Sequence, residues 1–118
     1  MDELGHLKMM STVDQTIAAR SRADSTFRNG LLADACTAFT RNDLAVTKTL
    51  IRHYINASVG FQQLAEEMSK SPKSLMRMFS TAGNLTSEDL SEVFGLLQAH
   101  SGITLSVSTE KTSGLQTA

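Results

Sequence analysis

Residues 61–80 read FQQLAEEMSKSPKSLMRMFS, and two short helices joined by a tight turn account for the pattern. The first spans about 61–68, with the small Ala65 in the middle of a face flanked by Leu64 and Met68. The second opens at Ser71-Pro72. Serine is a strong N-cap, and proline fits the first helical position because its missing N–H has no intrahelical partner there. That helix runs to about residue 80 and gathers Leu75, Met78 and Phe79 on one side.

Two helices that cross steeply need a small side chain where their backbones come closest, and Ala65 supplies it. The turn falls four residues later, at Ser69. Such a turn favours glycine, because its backbone tends to positive φ. Serine there costs about 1 kcal/mol, which surrounding packing offsets. The spacing is that of a helix-turn-helix, whose second helix enters the DNA major groove. It also suits a plain αα-hairpin with no role on DNA.

Charge supports the first option locally. The net charge is −1, yet Lys70, Lys73 and Arg77 fall between positions 69 and 84 with no acid among them. Glu66 and Glu67 lie before that stretch, and Glu88, Asp89 and Glu92 after it. A short basic face on a neutral body suits a small specific reader, not a protein that coats nucleic acid through bulk charge.

The rest of the chain reads as support. Its 118 residues suit a single domain with a modest core. Apolar residues at 41% and charged residues at 19% are ordinary for a globular protein, while one proline, no tryptophan and common Ala, Leu, Met and Gln lean towards an all-α protein. No apolar run approaches the roughly 18 residues of a membrane span. The start, MDELGHLKMM, is acidic and lacks an apolar core, so it is not a secretory signal. Whether translation begins at Met1, Met9 or Met10 stays open. The single Cys36 excludes an internal disulfide and fits a reducing cytoplasm.

Taken in order, residues 1–11 are expected to be a flexible leader. A helix over about 12–23 carries Val13, Ile17 and Ala18 as its stripe. Asp24 or Ser25 caps the next, whose stripe holds Phe27, Leu31, Ala35, Ala38 and Phe39. Gly30 weakens it by about 1 kcal/mol relative to alanine. Asn42 is expected to cap a third helix over about 43–58, with Thr47, Leu50, Ile51, Tyr54 and Ile55 inward and Gly60 ending it. After the central pair, residues 82–84 turn and Thr86 caps a last long helix with Leu90, Val93, Phe94 and Leu97 inward. Gly102 stops it. Residues 103–107, ITLSV, alternate with period two and predict a short β-strand. The domain is expected at 12–108, with a flexible tail over 109–118.

Residues 60–68 (GFQQLAEEM), 71–80 (SPKSLMRMFS), 82–86 (AGNLT) and 102–107 (GITLSV) together resemble the addiction-module antidote proteins. These are antitoxins with a phage-repressor, Cro/Xre-type helix-turn-helix. The resemblance covers about residues 27–107. It implies DNA-facing positions at Ser71, Lys73, Ser74, Met76, Arg77 and Ser80, on the start and outer face of the second motif helix. It also implies a small partner toxin.

The side-chain chemistry adds roles. Arg77 can donate two bonds to guanine. Lys73, one turn earlier, reaches a base or a phosphate, and Lys70 a phosphate. Met76 is open between a thymine-methyl contact and a core place, since periodicity over so short a helix does not decide. Gln62 and Gln63 sit where the first motif helix can meet phosphate. The plain alternative for the cations is a solvated surface.

Catalysis finds no support. His6, His53 and His100 are scattered, a metal site needs at least three suitable ligands, and Cys36 lies on an apolar stripe. Neither a metal nor a cofactor is expected. The fold expected is an all-α, repressor-like helix-turn-helix bundle of about six helices with a short C-terminal strand. The expected function is sequence-specific duplex DNA binding as a cytoplasmic, homodimeric transcriptional regulator, the antitoxin that represses its own toxin-antitoxin operon. The alternative is a protein-interaction module that neutralises a toxin without binding DNA.

Overall fold

The computed structural model describes residues 12–112; the leader expected over 1–11 and the last part of the tail, 113–118, lie outside the described residues. Among these the chain is all-helical. The helices are α1 (Thr12–Ala23), α2 (Ser25–Thr40), α3 (Leu44–Ala57), α4 (Phe61–Glu67), α5 (Pro72–Met78) and α6 (Ser87–Ser101).

Side-chain caps explain where four of them begin. The Asp24 carboxylate accepts from Thr26 N at 2.9 Å and Phe27 N at 3.1 Å. Asp43 accepts from Val46 N, Ser71 from Ser74 N and Thr86 from Asp89 N. Each satisfies an N–H that the first turn leaves without a partner.

Asn42 does not cap α3. It has φ 64° and closes α2: Asn42 N donates to Phe39 O and Asp43 N to Ala38 O. This is a Schellman ending, which needs a left-handed residue just past the helix, and asparagine tolerates that conformation better than most. The cap therefore falls one residue later, on Asp43. Ser69 ends α4 in the same way, with φ 56°, Ser69 N on Glu66 O and Lys70 N on Ala65 O. Gly102, at φ 65°, ends α6, with Ile103 N on Gln98 O.

The core joins Leu32 and Ala35 of α2 and Ile51, Tyr54 and Ile55 of α3 to Phe61, Leu64 and Ala65 of α4. Leu75, Met78 and Phe79 come from α5 and its end, and Leu90, Val93 and Leu97 from α6. α1 packs on α2 and α3 and lies at the margin, where Val13 is exposed and Ile17 only half-buried. Phe39, read as part of the inner stripe of α2, is also exposed.

The expected C-terminal strand is absent. Residues 103–107 form neither helix nor strand, and no described residue is part of a β-ladder that they could join. The segment instead folds back on its own helices. Ile103 and Leu105 pack against the core, and Leu105 N donates to the Gln98 side-chain oxygen at 2.7 Å. Val107, placed with them by the alternation, is 76% exposed. Period-two alternation reports an extended backbone with one buried face; it does not supply a neighbouring strand.

Candidate nucleic-acid interface

α4 and α5 meet through a three-part seat. Ala65 of α4 is fully buried in the core, as a small residue at a helix crossing would be. The Ser69 turn reverses the chain. Phe61 and Phe79 then close edge-to-face, with ring centroids 6.4 Å apart, a favoured aromatic geometry.

With Leu75, Met78 and Phe79 inward, the opposite side of α5 is open. Lys73, Ser74, Met76 and Arg77 are all exposed. Met76, undecided from periodicity, is 46% exposed and belongs to this outer face. Lys73 and Arg77 stand one turn apart on it.

The other expected contact residues are more engaged. Ser71 spends its hydroxyl oxygen on capping α5. Lys70 Nζ lies 3.7 Å from the Asp89 carboxylate. The Ser80 hydroxyl donates inward to Arg77 O at 2.7 Å. Gln62 is exposed at the start of α4. Gln63 donates to Glu67 at 3.3 Å and borders a different cleft, with Arg28, Ser58, His100 and Ser101.

Beside that cleft, His100 Nε2 lies 2.8 and 2.9 Å from the two Glu67 oxygens. It joins the end of α6 to the end of α4. The hydrogen bond with His100 holds the Glu67 carboxyl below its ordinary value, against a smaller opposing effect of desolvation. Tyr54 and Ser101, hydroxyl to hydroxyl, tie α6 to α3 nearby.

Residues that sequence reasoning passed over sit at the far end of α5. Lys48 is a buried lysine, only 7% exposed. Its Nζ donates to Ser80 O at 3.1 Å and Gly83 O at 2.8 Å. Arg52, one turn later on α3, donates to Phe79 O at 2.6 Å. Phe79 is the C-cap of α5, so Arg52 meets the negative end of the α5 dipole, while Lys48 holds carbonyls of the loop that follows. Gly83 is packed so closely under the last turn that an added Cβ would fall within the Arg77 carbonyl group. The one sequence signal was the cation pair four residues apart beside the inner stripe of α3.

Among the described residues no three His, Cys, Asp or Glu side chains come together to hold a metal ion. No helix there is long and apolar enough to cross a membrane. Comparison with protein-family models, curated proteins and solved structures finds no match.

Proposed function

We propose that this chain is a sequence-specific duplex DNA-binding protein of the helix-turn-helix type, with α4 as the supporting helix and α5 as the reading helix. One observation carries the reading: α5 turns Lys73, Ser74, Met76 and Arg77 outward together while its other side is anchored in the core. Two cations, a hydroxyl and a thioether on one exposed face suit guanine, phosphate and thymine-methyl contacts. Lys70 at the turn adds a phosphate contact. The biological role proposed is a transcriptional regulator, the antitoxin that represses its own operon and takes a small toxin as partner. Half-site geometry calls for two copies of the chain on one operator.

A second reading, a module that neutralises a toxin without touching DNA, draws on a different surface. Phe39, Leu44 and Val46 are exposed to between 42% and 45% around the junction of α2 and α3, and apolar side chains left in water suit a protein partner. The deciding experiment is a gel shift with the region upstream of the chain's own gene against a scrambled duplex. Preferential retardation of the upstream region supports the first reading. Equal or no retardation, with a neighbouring toxin still inhibited, supports the second.

A further inference from the structure

We infer that Lys48 is a positioning residue for Arg77, acting through the loop that follows α5; this rests on the reading of α5 as the recognition helix. α5 is seven residues long, and Leu75, Met78 and Phe79 are its anchors in the core. Two turns held by a few apolar contacts are fixed against withdrawal but weakly against rotation, and rotation would swing an arginine off its base. The polar contacts supply the missing constraint.

The Arg77 carbonyl is gripped from several directions. Ser80 N donates to it at 3.0 Å and the Ser80 hydroxyl at 2.7 Å. Gly83 lies against it with no room for a Cβ. Ser80 and Gly83 are in turn the two residues whose carbonyls Lys48 holds. One buried ammonium thus closes the loop over the residue whose side chain points out towards DNA. Replacing it with an apolar side chain leaves Gly83 O without that donor and Ser80 O with Gly83 N alone, and loosens the Arg77 backbone while leaving the charges of the outer face in place.

The test uses the full chain and two measurements. In amide exchange without DNA, Lys48→Met speeds exchange at Ser80 and Gly83 by about tenfold or more, while Leu64 and Leu75 keep their protection. In binding, the preference for the upstream region over a scrambled duplex is measured for Lys48→Met, Arg77→Ala and the double variant. Each single variant loses about five- to a hundredfold in preference, affinity for the scrambled duplex is kept in Lys48→Met, and the double variant is no worse than Arg77→Ala. Losses that multiply in the double variant would make Lys48 a general structural residue and overturn the inference. So would wild-type exchange and preference in Lys48→Met. Gly83→Ala, which pushes the loop off Arg77 from the other side, must show the same non-additivity and serves if Lys48→Met does not fold. A wild-type preference in Arg77→Ala refutes the reading of α5 and the role of Lys48 in specificity together, whereas the exchange result reports on the loop alone.

Discussion

Lys70, at the turn between α4 and α5, stands 3.7 Å from the carboxylate of Asp89 in the first turn of α6. A half-exposed pair at that distance is worth little to stability. It does hold the lysine at the edge of the proposed interface, and a phosphate would have to compete with Asp89 for it. Lys70→Ala is expected to weaken binding to all duplexes alike and to flatten the salt dependence by about one unit of slope. Asp89→Asn is expected to do the opposite, strengthening binding to any sequence. Titrations over a range of salt concentrations check both, and an unchanged slope in Lys70→Ala removes it from the phosphate contacts.

Arg77 is the proposed base reader. Arg77→Ala is expected to cost about 1–3 kcal/mol of specific binding and to relax preference at a single base position. The measurement is a competition among operators that differ one base pair at a time. Equal losses at every position would make Arg77 a phosphate contact.

Ala65 of α4 is fully buried in the core, and the spacing places it at the crossing with α5. Ala65→Leu adds three carbons where no space exists, so about 1–3 kcal/mol of stability is expected to be lost through overpacking. Thermal melting without DNA reads this directly; a variant as stable as the wild type would place the helix crossing elsewhere.

Ser69 adopts φ 56°, a conformation that strains any residue with a Cβ by about 1 kcal/mol. Ser69→Gly removes the strain and adds freedom to the unfolded chain, two effects of similar size. The melting temperature is expected to stay level or rise slightly. Ser69→Val, β-branched at a left-handed position, is expected to lower it clearly. The order Gly, Ser, Val in melting temperature is the checkable outcome.

The Glu67 carboxyl is held below its ordinary value of 4.5 by His100. A carboxyl lowered by folding adds stability that is fully present above its unfolded value and disappears as pH falls through the folded value. The stability difference between wild type and Glu67→Gln is therefore expected to shrink as the pH is lowered from above 4.5 into the acid range. Denaturant melts across that range measure it, and a difference that does not change with pH would show that the carboxylate form of Glu67 is not favoured by folding.

What the sequence determined by itself is mostly local. Ser71-Pro72 started α5, Thr86 started α6 and Gly102 ended α6, because caps and left-handed endings depend on residues within a turn of each other; for α2 the sequence offered Asp24 or Ser25, and the structure decided for Asp24. The inward residues of α5 and the burial of Ala65 were legible for the same reason: helical period places them without reference to distant chain. Asn42 was misread because the same residue type serves at both helix starts and helix ends, and only the path of the neighbouring backbone distinguishes them. The segment 103–107 was misread because a strand is a relation between two stretches of chain. The outward place of Met76 was settled once the core had taken Leu75 and Phe79. The partners of Lys48 were illegible for the most physical of these reasons: the carbonyls of Ser80 and Gly83 lie 32 and 35 residues away. Backbone carbonyls are common to every residue, so no sequence pattern announces which of them a buried cation will find; the packing of α3 against the end of α5 decided that.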